Sequence, residues 1–399
     1  MVSGVGVVSA WGWGVAPFRS AVAQGGSAIG PFTRFEHANY PTHVAAQVPN
    51  RAIRPRRSRS ARGLTHADRF AVAAADEALA AAGLPAVDTD RRTGVFFGGS
   101  TGGMFECEEF YRRWRRRCLD RAPRHLLAAQ PVSRPAEAVA RSLRVSGPVE
   151  TVSSACASAA LAIGVALEAL RAGEVQLALA GGSDSLCRIT FGGFNTLRAI
   201  DERPCRPFRA DRAGMSLGEG SAVLVLESLE SARGRGARPL VELCGAGASA
   251  DAHHMTAPDP GGNGASLAIR RALRDAAREP GDVDLINAHG TGTPLNDIAE
   301  YRALERVFGD RAREIPLAVT KGSVGHLLGG AGAIEAAATV HALLEQRLQP
   351  VPGQGPVEPR APVQLPREAV PAELEVALSL NLGFGGCNAA LVFARWSEP

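Results

Sequence analysis

The sequence predicts an α/β fold with buried sheets, on three observations. Short β-branched and apolar runs alternate with long alanine-rich stretches of helical character, as in sheets covered by helices. Glycine makes up 45 of the 399 residues, which suits close backbone packing and many tight turns. The order strand–turn–helix–strand–strand also occurs twice, with the second copy beginning near residue 240. Length alone would allow two or three domains. The internal echo divides the chain into a half over 1–239 and a half over 240–399.

The elements follow in order. The N-terminal Met-Val-Ser-Gly-Val-Gly-Val-Val-Ser is apolar but has no positive region before it, so it reads as a first strand and not a signal peptide. A helix is expected over 67–82 and a strand over 93–98. A strand ending near Ser153 then turns through Cys156 into a helix over 157–171, followed by strands over 175–180 and 221–227. In the second half, helices are expected over 265–278, 297–307 and 333–347. Strands are expected there over 283–288, 315–319, 375–381 and 388–394. The stretch 349–371 holds seven prolines and reads as an extended connector making a surface excursion.

Bulk composition narrows the function. Hydrophobic residues are 45% and charged residues 21%, the balance of a globular protein. The net charge is only +4, but arginines gather at 51–62, including Arg62, and at 112–117. Such clusters suit an acidic partner, a membrane surface or simply solvent, and no aromatic-studded motif points to nucleic acid. Seven scattered cysteines without a Cys-x-x-Cys pair argue against a disulfide framework and a structural zinc site, and for a reducing compartment. No run of 18 apolar residues occurs, so no membrane span and a cytoplasmic location are expected.

The chemistry gathers at a few turns. Cys156 stands where an apolar strand meets an alanine-rich helix. There the unpaired N–H groups and the helix dipole are expected to lower the thiol pKa and to hold a developing oxyanion. The plain alternative is a small buried hydrophobe. His289 ends a strand in Asn-Ala-His-Gly-Thr-Gly-Thr-Pro, where ligands of α/β sheets gather, with Thr291 and Thr293 offering hydroxyls. It could equally be a turn residue. His326 follows Lys321 and precedes a Gly-Gly-Ala-Gly run; Glu335 lies on the next helix, where it could simply offset the dipole. Phe384 sits among the glycines of a 383–386 turn, an exposed aromatic suited to moving over a pocket.

Ser-Ser-Ala-Cys-Ala-Ser, His-Gly-Thr-Gly-Thr-Pro, Lys-Gly-Ser-Val-Gly-His-Leu-Leu-Gly-Gly-Ala-Gly and Gly-Phe-Gly-Gly together resemble the elongating type II β-ketoacyl-[acyl-carrier-protein] synthases. Asp251-Ala-His-His-Met-Thr-Ala-Pro258, Gly192-Gly-Phe194 and Pro207-Phe-Arg-Ala-Asp-Arg212 extend the likeness over nearly the whole chain. The resemblance implies a thiolase fold, with two halves stacked as helix–sheet–helix–sheet–helix layers. It implies decarboxylative Claisen condensation in fatty-acid or polyketide elongation, with ping-pong kinetics. Cys156 would carry the acyl group, and His289 and His326 would bind the malonyl thioester. Lys321 would organise His326 with support from Glu335, and the N–H groups of Cys156 and Phe384 would form the oxyanion hole. Thr291 and Thr293 would hold the phosphopantetheine arm, Phe194 and Phe384 would gate the acyl pocket, and Thr256 would lie on a mobile loop.

Arg62 and Arg198, with the 112–117 cluster, are docking candidates for an acyl carrier protein. The implied enzyme is a homodimer, or a heterodimer with a chain-length-factor-like subunit, and needs no metal and no cofactor beyond the carrier's arm. One departure stands out: Cys387 replaces the usual threonine after Gly-Phe-Gly-Gly and sets a second thiol beside the turn. It keeps an acyl-CoA thiolase in view. A non-catalytic partner subunit is a further alternative, whereas a cysteine protease lacks its expected sequence context.

Overall fold

A computed structural model of the chain describes residues 1–51, 63–84, 92–117 and 124–397. Arg62 and the other arginines of 54–62 lie outside the described residues. The principal elements of the first half are β1 (Val2–Ser9), α1 (His66–Ala81), β2 (Thr93–Gly98), α2 (Met104–Arg117) and α3 (Arg134–Leu143). They continue with β3 (Val149–Val152), α4 (Ser158–Arg171), β4 (Leu177–Asp184), α5 (Arg188–Thr196) and β5 (Gly220–Glu227). The second half runs β6 (Val241–Ala250), α6 (Asn263–Asp275), β7 (Leu285–Asn287), α7 (Pro294–Phe308) and β8 (Leu317–Ala318). It ends with α8 (Lys321–Val324), α9 (Ala331–Glu345), β9 (Val376–Leu382) and β10 (Cys387–Arg395).

The two halves share one topology. The first sheet runs β1-β5-β4-β2-β3 and the second β6-β10-β9-β7-β8. In each, the first strand lies antiparallel to the last and the last antiparallel to the fourth. The fourth and second strands pair in parallel, as do the second and third. The sheets meet edge to edge at the Val2–Val241 pair. Helices α4 and α9 pack on each other between the sheets, α1 and α3 cover the outer face of the first, and α6 and α7 that of the second. This is the duplicated five-layer thiolase fold.

Small residues let the layers close. A Cβ on Gly98 would stand 2.1 Å from the Ala159 nitrogen, and one on Gly332 would stand 2.6 Å from the Ala160 nitrogen. The two central helices therefore approach the sheet and each other backbone to backbone. Ile163 of α4 is fully buried in the central core, and truncating it to alanine should cost ~2–4 kcal/mol. Helix α1 starts on a reciprocal cap: Thr65 and Asp68 exchange backbone-to-side-chain bonds of 3.0 Å.

Three findings depart from the sequence reading. β4 runs on through Gly181 and Gly182 to Asp184, because β5 and the Gly98 backbone approach too closely for side chains there. Helices α2, α3 and α5 and strand β6 go beyond the sequence reading: α2 is arginine-rich, β6 is glycine-rich beneath the close backbone of α6, and α3 buries an apolar stripe of Ala136, Val139, Ala140 and Leu143 that the sequence does carry. The 349–371 stretch is not merely a surface excursion. Val351, Ala361, Val363 and Leu365 are buried in the core beside the second sheet, and Arg209 donates to the Gly353 and Gly355 carbonyls at 3.1 and 3.0 Å. Among the described residues, no helix is long and apolar enough to cross a membrane.

Candidate active site

The turn between β3 and α4 presents Cys156. Ala155 has φ of 46°, a left-handed conformation that an L-residue holds only when its surroundings impose it. Ser158 closes the turn: its Oγ accepts the Ser154 N–H at 2.8 Å and donates to the Ala155 carbonyl at 2.6 Å. Cys156 is 6% exposed, and the Phe384 N–H is directed at its sulfur. Burial pushes the thiol up to about 11, against the pull of the Lys321 charge and the Phe384 N–H. This corrects the expectation of a thiol lowered by the helix start. Cys156 lies two residues before the first helical residue, Ser158, and removal from water disfavours its thiolate.

The second half supplies the histidines from its own turns. After β7, the His289 and Gly290 N–H groups donate to the Glu300 carboxylate at 2.6 and 2.9 Å. Lys321 Nζ donates to His289 Nδ1 at 3.0 Å and to the His289 carbonyl at 2.6 Å. It also pairs with Glu335 at 2.5 Å, and Glu335 in turn accepts from Asn381 Nδ2 at 2.5 Å. His326 Nδ1 accepts the Leu328 N–H at 3.2 Å. Lys321 therefore serves His289 directly, and not His326 as expected; the His326 ring is set by its own turn.

These bonds settle the tautomers. A backbone N–H and an ammonium can only donate, so both Nδ1 atoms accept and each ring proton sits on Nε2. The two rings stand 5.6 Å apart and nearly perpendicular, at 86°. Burial, with the Lys321 charge second, holds both imidazoles well below their ordinary pKa. His326 Nε2 is buried without a hydrogen-bond partner among the described residues, so it presents a free donor.

Cys156, His289 and His326 line one cavity of about 250 Å³. Thr256, Thr291, Thr293, Arg198 and Phe384 line it as well. Thr291 and Thr293 bond each other through their hydroxyls at 2.9 Å. Lys321 and Glu335 stand behind the histidines, fully enclosed. Phe384 is half-buried rather than exposed, its ring 5.6 Å from Phe194, which is itself not among the residues lining the cavity. Glycines 385 and 386, at φ of 83° and 79°, make that turn possible. Arg112, Arg115 and Arg116 border a separate groove with Tyr111 and Ile189. Cys387 packs against the central core and is not among the residues lining the cavity, which removes the expected second thiol from the site.

Several residues of the site escaped sequence reading. Glu300 and Asp297 lie one helical turn apart on α7. Glu300 holds the His289 turn, while Asp297 accepts the Gly292 N–H at 3.1 Å. Burial pushes Glu300 up to about 8 and Asp297 up to about 6. The spacing of this acidic pair just after the histidine turn was the available signal. Asp184 and Asn381 carried none, for each stands singly at a strand end.

Comparison with known proteins follows the same lines. The family model described as "Beta-ketoacyl synthase, N-terminal domain" matches residues 1–232, and the one for the C-terminal domain matches 240–354. The chain is 34% identical over 409 residues to a 3-oxoacyl-[acyl-carrier-protein] synthase 2 of Staphylococcus aureus (strain N315), covering 99% of this chain and 98% of the relative. The structure of the ishigamide ketosynthase/chain length factor superposes with a TM-score of 0.94 at 33% identity, covering 99% of this chain and 98% of that one. A type II polyketide-synthase ketosynthase, solved in complex with its acyl-carrier protein, superposes at 0.89 with 30% identity, over 99% and 98% of the two chains.

Proposed function

The chain belongs to the β-ketoacyl synthase family, and from that premise we propose how its residues divide the reaction. It is a β-ketoacyl-[acyl-carrier-protein] synthase of the 3-oxoacyl synthase 2 type. One observation carries the assignment of roles: a buried thiol and two neutral imidazoles, both with the proton on Nε2, face a single cavity.

Cys156 attacks the acyl thioester and releases the carrier's thiol. The Cys156 and Phe384 N–H groups hold the oxyanion, at a gain of a few kcal/mol, roughly 3 per donor. Malonyl thioester then binds with its carbonyl oxygen between the Nε2–H groups of His289 and His326. The carboxylate leaves as carbon dioxide, and the bond electrons pass to an enolate that those two donors stabilise. The enolate carbon attacks the acyl-cysteine carbonyl, forming the β-ketoacyl thioester and returning the Cys156 sulfur. Lys321 and Glu335 fix the His289 tautomer from behind. Thr291, Thr293 and Thr256 line the path of the phosphopantetheine arm, and the Phe194–Phe384 contact closes the acyl end. The reaction needs no cofactor beyond that arm.

An acyl carrier protein is the partner at the cavity mouth, with exposed Arg198 at the rim and Arg62 and the α2 arginines as further contacts. A dimer, of two copies or with a chain-length-factor-like subunit, is supported by β3. That strand is the free edge of the first sheet and leaves Val149 40% exposed. The 1–239 half carries the nucleophile and the 240–399 half the decarboxylating groups, in a cytoplasmic enzyme. Intact-mass measurement after incubation with acyl-carrier protein tests the reading. An acyl adduct on Cys156 is expected; its absence, with protein intact and folded, points to a non-catalytic subunit.

A further inference from the structure

We propose that Asp184 is a positioning residue that ties the Cys156 turn to the His326 turn and so sets the geometry between nucleophile and decarboxylating donor. The inference rests on the roles assigned above to Cys156 and His326. Asp184 ends β4 and is fully buried. Its Oδ1 accepts the Thr101 N–H at 2.8 Å and the Thr101 hydroxyl at 2.7 Å. Its Oδ2 accepts the Ser100 N–H at 2.9 Å and the Gly329 N–H at 2.7 Å. Ser100 Oγ then donates to the Ala155 carbonyl at 3.2 Å, one residue before Cys156. Gly329 follows Leu328, whose N–H holds His326 Nδ1. One carboxylate thus reaches the nucleophile through Ser100 and the histidine through Gly329.

The backbone on each side needs that support. Ala155 and Leu328 both hold positive φ, at 46° and 53°, and such residues keep their conformation only where neighbours over-determine it. The His326 turn also packs on the loop after β2 that carries Ser100. A Cβ on Gly329 would stand 2.5 Å from the Gly99 carbonyl carbon and 2.6 Å from the Ser100 nitrogen. With no room for another side chain between that loop and the His326 turn, the carboxylate at their junction sets how the two sit, and the Ser100 hydroxyl carries this to the Cys156 turn. A shift of about 1 Å in such a constellation can cost ~100-fold in rate.

Two variants separate the arms. Asp184→Asn replaces one acceptor oxygen by a donor; an Asn oxygen left facing Thr101 turns the amide NH2 against the Ser100 and Gly329 N–H groups. Ser100→Ala cuts the hydroxyl link to Ala155 and leaves the carboxylate in place. The test measures acylation of Cys156 and carbon dioxide release from malonyl-carrier separately, beside thermal unfolding. Asp184→Asn should slow decarboxylation by ~10- to 100-fold with KM for malonyl-carrier within about twofold. Ser100→Ala should slow acylation by ~10-fold and leave decarboxylation unchanged. Folded Asp184→Asn protein that decarboxylates at the wild-type rate overturns the proposal. So does Ser100→Ala protein that acylates normally or slows both steps alike, and this arm decides the matter if Asp184→Asn does not fold. Wild-type protein that takes no acyl group overturns instead the parent reading, and this one with it.

Discussion

The two halves of the molecule share a strand order and differ in what they set at the end of the same strand. In the first, the five residues 153–157 join β3 to α4 and present one thiol. In the second, residues 319–330 join β8 to α9, long enough for a helical turn bearing Lys321 and for the His326 turn. Burial drives both sets of groups neutral: the Cys156 thiol rises to about 11, and the two imidazoles fall well below their usual value. The consequences are opposite. A neutral thiol must still become a thiolate to react, whereas a neutral Nε2–H is already the form that donates to a carbonyl. Each half corrects the other. The second lends the Phe384 N–H and the Lys321 charge to Cys156, and the first holds the His326 turn through Asp184. The same strand order thus ends in two different sets of groups, one thiol and two imidazoles.

The largest expected effect would break the division cleanly. Cys156→Ala should remove the acyl adduct and lower condensation by at least ~10⁴-fold, while carbon dioxide release from malonyl-carrier persists. Loss of both activities in folded protein would show that the halves do not act separately. Next comes the support behind His289. Glu335→Gln leaves the enclosed Lys321 without its counter-ion and should destabilise the fold by ~3–5 kcal/mol, read from urea unfolding.

The pH dependence sharpens the contrast. Both imidazoles bind protons less readily folded than unfolded. Stability from these groups is therefore fully present above the unfolded histidine pKa of about 6.5 and declines as pH falls below it, by up to ~1.4 kcal/mol per unit for each. Between about pH 6 and 8 neither ring should add a step to decarboxylation, because both are neutral there when folded, so any step near pH 8 belongs to Glu300 behind the His289 turn. The Cys156 alkylation rate should instead climb toward tenfold per unit over about pH 7–9, since the thiolate fraction does. A bell-shaped decarboxylation profile centred on that range would contradict the neutral-donor reading. The smallest effect is expected from Phe384→Ala, which keeps the N–H aimed at the sulfur and loses the ring contact with Phe194. Acylation should fall by no more than ~10-fold, because the oxyanion donor is retained.

Much of this was legible in the sequence, for physical reasons that can be named. Helices such as α1 and α9 read clearly because they are long and alanine-rich, and β2 and β5 because they are continuous apolar runs. The turn residues Cys156, His289, Lys321 and His326 read because glycines and small residues frame them. α2 did not, since its arginines conceal any apolar face, and β6 did not, since glycine and alanine do service there as room for α6. Two errors at the site have one origin. The raised thiol and the partner of Lys321 both depend on burial and on contacts across 14 or more residues of chain, as in the Lys321–His289 bond over 32. Asp184 and Asn381 stayed hidden because single polar residues at strand ends carry no periodicity.

The division of labour is tested most directly in His326→Ala protein by following intact mass in a single turnover. Acyl-carrier protein should load Cys156 at nearly the wild-type rate. On adding malonyl-carrier the adduct should then persist, with carbon dioxide release slowed by ~10²–10³-fold. An adduct that clears as fast as in the wild type, or one that never forms, would contradict the assignment of decarboxylation to the second half.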